Sequence, residues 1–264
     1  MTINDIRKLI EIYMNGQKTY DEMCHYLLKQ DTKLNNELLL LIFTISDSME
    51  SLALLSNHNK MRDCYVISRA IYETVLNILL ITATDFESMK EMLDYTNREI
   101  DKESARSTAT DSEALIFAFD GKQHQVAFIK NNPIKTTNPG SWTKHNISNR
   151  INLIDKKYGK QISRFLQLTH LTVYRTSTNI AHGTLYGMLQ AMGLIHGKRI
   201  KDFTEVNMME HNLQRISILL LTILQSVYAM VSALDKEVGL NKFEKDLDST
   251  LLKFIEEIKV ITEK

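Results

Sequence analysis

Proline stands at only two of 264 positions, Pro133 and Pro139, and both fall in one short stretch, NNPIKTTNPGSWTKH. Proline removes a backbone donor and collides with the preceding helical turn, so its confinement leaves long runs free to stay helical. Those runs carry apolar residues at i, i+3, i+4 spacing. The pattern predicts helices over 2–14, 17–30, 33–57, 61–84, 86–107, 145–157, 160–182, 205–236 and 243–262. Asn4, Thr19, Asp31, Asp85 and Asp202 sit near helix starts as candidate caps, and Gly16, Gly159 and Gly239 near ends. The fold class read from this is all-α, a single multi-helix bundle over residues 1–264 with a long excursion near 108–144. Alternation at 115–119 and 126–129 around Asp120-Gly121 marks a short hairpin there.

Charge and cysteine usage narrow the function classes. Lys plus Arg equals Asp plus Glu, 32 each, so no global field draws the chain to nucleic acid or an anionic membrane, although a local basic patch stays open. Cys24 and Cys64 are too few for a disulfide framework and read as small buried residues in a reducing cytosol. The N-terminus is an amphipathic helix pattern rather than a secretory leader. The most apolar stretch, 216–231, falls short of the roughly 20 residues that a membrane span needs. It reads as a core helix, and the expectation is a cytoplasmic protein with no membrane partner. Long apolar helices such as 205–236 also suggest self-association.

Two places break the helical pattern. In 161–187, Phe165, Leu168 and Leu171/Thr172 trace one stripe, and extending it gives Arg175, Thr178/Asn179 and His182. Seven residues is nearly two turns, which puts Arg175 and His182 within about 20° of each other around the axis. An inward stripe that turns polar requires a carboxylate, an anionic ligand or a wet cleft for its guanidinium. In 64–81 the most apolar helix of the first half carries Arg69 and Glu73 four apart, on one face where they can pair. Arg69, Glu73, Arg175 and His182 are thus expected to meet between two helices.

Two accounts of that cluster stand side by side. In the structural one, the Arg/Glu/His network fixes helix register. In the catalytic one, an arginine fork holds a phosphodiester while a histidine that titrates near neutrality moves a proton. That pair suffices for metal-independent RNA cleavage through 2′-OH attack and a 2′,3′-cyclic phosphate. No His-Glu-x-x-His pair, phosphate loop or nucleophile elbow is present, so neither a cofactor nor a metal is expected. The 131–149 stretch and its flanks hold Lys130, Lys135, Lys144, His145, Arg150 and Trp142. They read either as a single-stranded RNA contact or as an ordered crossover with Trp142 turned into the core.

The segments SRAIYETVLNILLI and SWTKHNISNRINLIDKKYG…YRTSTNIAHG resemble a prokaryotic family catalogued as domain of unknown function 5677. Arg69 and Glu73 fall on its Arg-x-x-x-Glu helix. Trp142, Tyr174, Ser177, His182 and Gly183 fall on its Trp and its Tyr-x-x-Ser…His-Gly pattern. The resemblance covers 35–190 and leaves 191–264 as C-terminal helices suited to oligomerisation. Arg175-x6-His182 is also similar to the Arg-x4–6-His signature of the HEPN superfamily. That likeness implies a helical dimer cleaving RNA in a toxin or anti-phage system, with Arg175 and His182 catalytic. Tyr174, Ser177 and Asn179 would support the pair. Thr176 departs from the pattern at the position after the arginine. The rival is a non-catalytic helical partner or regulator.

Overall fold

Thr2 and Asp5 close a reciprocal capping box, each side chain bonding the other's backbone amide, and this starts the first helix. The structure is a computed structural model that describes residues 1–30, 34–103, 105–109, 113–120, 123–130, 141–192 and 205–263. Side chains are described outside 101–130 and 205–207. The helices are α1 (Ile3–Lys29), α2 (Asn36–Asn57), α3 (Met61–Ala83), α4 (Glu87–Glu103), α5 (Ile147–Tyr158) and α6 (Lys160–Thr169). A π turn, His170–Tyr174, joins α6 to α7 (Arg175–Ala181), and α8 (Leu185–Ala191), α9 (Glu205–Val238) and α10 (Asn241–Thr262) complete the set.

Two compact units result, one of 1–83 with 150–264 and one of 84–149. The first is the all-α bundle that the pattern predicts. The second holds α4 and a three-stranded antiparallel sheet of order β1-β2-β3, with β1 Ala105–Ala109, β2 Glu113–Asp120 and β3 Gln123–Lys130. The expected hairpin is there, with Leu115 opposite Phe128 and Phe117 opposite Val126. Its turn residues 121–122 lie outside the described residues. The helix expected to run to 107 stops at Glu103 and gives way to a strand. Ser107 and Thr108 compete for backbone hydrogen bonds in a helix, and threonine suits a pleated surface better.

The bundle is built around α9, which packs against α1, α3, α6 and α10. Ile216, Leu220, Ile223, Leu224, Val227, Met230 and Val231 are fully buried along it. Three helices are long and apolar enough to cross a membrane by length and composition alone. In the bundle 78% of the α9 window and 61% of the α3 window are buried, against 39% for α2. Most of the apolar length of α9 is therefore accounted for inside the chain. Cys24 and Cys64 are buried, as expected, and burial pushes their thiols up to about 12 and about 11.

The expected break at Gly16 does not occur, because α1 passes straight through it. A Cβ there would sit 2.8 Å from Leu224 Cδ1, so this glycine lets α1 and α9 approach. Gly159 and Gly239 do mark helix ends, both at positive φ. The short α8 was not foreseen. Thr184 caps it by accepting from Gly187 N–H at 3.0 Å, while its hydroxyl donates to the Asn179 carbonyl at 3.0 Å. A Cβ on Gly187 would strike the backbone at Asn179 and Ile180, which fits a close crossing of α7 and α8. Alanine in an ordinary helix gains about 1 kcal/mol over glycine. Gly187→Ala should instead cost roughly 1–3 kcal/mol through the backbone clash. A lowered urea midpoint is the expected result, and a raised one would contradict this packing.

Candidate functional site

The helix that carries the candidate residues buries Ile162, Leu166, Thr169, Val173, Thr176, Ser177 and Ile180. Leu168 and Leu171 are 41% and 57% exposed, and Arg175 and His182 lie on the solvent side with them. The expectation of an inward stripe through Leu168, Leu171 and Arg175 is therefore corrected. The true core stripe is disguised by hydroxyl residues that satisfy themselves. Thr169 Oγ1 donates to Phe165 O at 3.0 Å and meets Ser226 Oγ at 2.7 Å, and Ser177 Oγ donates to Tyr174 O at 3.0 Å. Counted by polarity alone, these positions look exposed.

A π turn lies in the middle of this segment. Arg175 N–H donates to the carbonyl of His170, five residues back instead of four. Residues one bond apart along a helix lie one above the other, so the π turn places His170 beside Arg175. A regular helix would turn these two far apart around the axis. The carbonyl of Tyr174 also accepts hydroxyls, from Ser177 and from Thr178 at 2.7 Å. Asn179 Nδ2 donates to the Arg175 carbonyl at 3.3 Å.

Across from the π turn, Arg69 and Glu73 of α3 pair as expected, Nε to Oε1 at 2.8 Å. The Arg69 guanidinium lies over the Tyr174 ring, 4.9 Å from its centroid. Tyr174 in turn stacks on His170 with centroids 5.1 Å apart and planes at 24°. Tyr72 borders both rings at 6.1 and 6.4 Å, and its buried hydroxyl donates to the Leu166 carbonyl at 3.2 Å. Arg150 Nη1 donates to Asn77 Oδ1 at 2.9 Å. Burial lowers the Arg150 pKa, while the neighbouring Tyr174, Glu73 and Tyr72 oppose that shift.

The expected four-residue meeting is thus only partly realised. Arg69, Glu73 and Tyr174 come together, and Arg175 adjoins them through His170. His182 caps the far end of α7, exposed and without a side-chain hydrogen bond among the described residues. Sequence reasoning missed His170, Tyr72, Asn77 and Arg150 as members of the cluster. The available signal was a histidine five residues before Arg175, which only a π turn brings into register. Trp142 and Thr143 belong to the other unit, where Trp142 is half-buried and Thr143 buried. Residues 131–140 of the basic stretch lie outside the described residues.

A helical bundle with an Arg–Glu pair facing a Tyr/His π turn is the class of protein that this fold and site define. A family model described as a family of unknown function, DUF5677, matches residues 37–199, and the chain belongs to that family. The match takes in α2 from its second residue, α3, the π turn and both Arg175 and His182. No curated protein and no solved structure matches the chain.

Burial lowers the His170 pKa, and the nearby Arg175 charge lowers it further. An unfolded imidazole takes up its proton near pH 6.5, whereas the folded one resists until the pH is lower. As pH falls through that window the unfolded state binds more protons, so stability falls with it. Urea midpoints measured at pH 8 and pH 5 should therefore converge in His170→Gln relative to wild type. Equal pH dependence in the two proteins would show that His170 titrates as a free imidazole.

Proposed function

We propose that the chain is a metal-independent ribonuclease of HEPN-like type, acting in a toxin or anti-phage role in the cytoplasm. The observation that carries this reading is that Arg175 and His182 are both solvent-exposed on one short helix. A purely structural pair would be mutually satisfied, as Arg69 and Glu73 are. A reactive pair has to be reachable by a phosphodiester. Arg175 is suited to neutralise charge on the phosphorane, and an imidazole on the same helix to move the proton of the 2′-OH. The resemblance gives that second role to His182. Arg69, Glu73 and Tyr174 hold the helix in place from behind.

Exposed Leu168, Leu171, Leu185 and Tyr186 flank the pair along the chain. Apolar groups around a charged pair support a homodimer formed through this face, with RNA entering between two copies. The same apolar rim favours the rival reading, a non-catalytic helical module that uses this face to hold a protein partner.

Purified protein incubated with total RNA in EDTA distinguishes the two. The expected outcome is cleavage leaving 2′,3′-cyclic phosphate ends. Arg175→Ala and His182→Ala should each lower kcat/KM by roughly 100-fold or more. Stability should stay within about 0.5 kcal/mol of wild type, because both side chains are exposed. Absence of cleavage by wild type, or unchanged cleavage by both variants, would leave the partner reading standing.

A further inference from the structure

Resting on the ribonuclease reading, we infer that the imidazole that exchanges protons with substrate beside Arg175 is His170, within the same chain. Distance along the helix separates the two histidines. His182 lies seven residues beyond Arg175, which at 1.5 Å per residue is about 10 Å of axis. His170 lies one π turn away, its own carbonyl bonded to the Arg175 amide. A phosphodiester held on the Arg175 guanidinium is within reach of the nearer ring.

Orientation separates them as well. The His170 ring is clamped in a stack, Tyr174 parallel to it at 5.1 Å and Tyr72 tilted at 6.4 Å. Arg69 covers Tyr174 at 4.9 Å and is itself tied to Glu73. The His170 Nδ1 is buried and has no hydrogen-bond partner among the described residues. The ring is half-buried, which leaves its Nε2 edge as the reactive one. His182 has no comparable clamp among the described residues; it sits at the exposed end of α7. A general base works best when its geometry is fixed beforehand and it is neutral at working pH.

The groups facing His170 favour the neutral ring. Arg175 is the charged neighbour, and Tyr174, Tyr72 and, behind Tyr174, Arg69 complete that side. On the α9 side the adjoining Thr169 meets only the hydroxyl of Ser226 and the carbonyl of Thr222. In the step itself His170 takes the proton of the 2′-OH as the 2′-oxygen bonds to phosphorus. The bond from phosphorus to the 5′-oxygen breaks, and the imidazolium returns its proton to that oxygen. Proton and electrons balance, and the products are a 2′,3′-cyclic phosphate and a free 5′-OH.

The test uses the full chain, a defined single-stranded oligoribonucleotide and EDTA, with kcat and KM measured from pH 5 to 9. His170→Gln and His170→Phe, the second of which keeps a ring in the stack, are compared with His182→Asn, and circular dichroism confirms folding. The expected result is a fall in kcat of roughly 100-fold or more in both His170 variants. The acidic limb of the wild-type profile should disappear with it, and that limb should persist in His182→Asn whatever the variant loses in kcat/KM. A folded His170 variant that retains wild-type kcat and its acidic limb overturns the inference and leaves the ribonuclease reading intact. Wild type that cleaves nothing overturns both.

Discussion

One backbone hydrogen bond, from the Arg175 amide to the His170 carbonyl, sets the layout of the site. Its span of five residues lets the helix carry one extra residue while both ends keep their own packing. Before the turn, Ile162, Leu166 and Thr169 face the core; after it, Val173, Thr176, Ser177 and Ile180 do. As a result the polar residues divide into two populations. An inner set of Arg69, Glu73 and Tyr174 closes on itself. An outer set of Arg175 and His182 faces solvent, and His170 lies at the seam.

The two sets obey different electrostatics. Arg69 is 23% exposed, and a guanidinium that far from water needs its carboxylate and its aromatic face. That need ties α3 to the π turn and makes the cluster a register device whatever else it does. Arg175 has no such requirement, because solvent screens it, and its charge is available to a ligand. The strength of the clamp on one side permits the openness on the other.

Much of the fold was legible because it follows from periodicity. Confinement of proline to 133 and 139 and the apolar run of α9 were enough to give a bundle with an excursion and a hairpin at 115–119 and 126–129. The Gly16 boundary failed because glycine has two uses, ending a helix and admitting a neighbour, and Leu224 shows that the second applies. At the site, the Arg69–Glu73 pair was legible from its i, i+4 spacing. The facing of Arg175 was not. Thr169 and Ser177 conceal the core stripe by bonding their own helix, and Thr176 by accepting from Gln190 Nε2 at 3.0 Å. His170 was lost because a 3.6-residue period cannot register a five-residue turn.

Moving the histidine by one place is the most direct test. In an ordinary α-helix the residue in register with Arg175 would be Leu171, four back, whereas the π turn puts His170 there. The double variant His170→Leu with Leu171→His should therefore keep its helical content and lose RNA cleavage in EDTA by roughly 100-fold or more. A folded double variant that cleaves as well as wild type would contradict the claim that the π turn assembles the site.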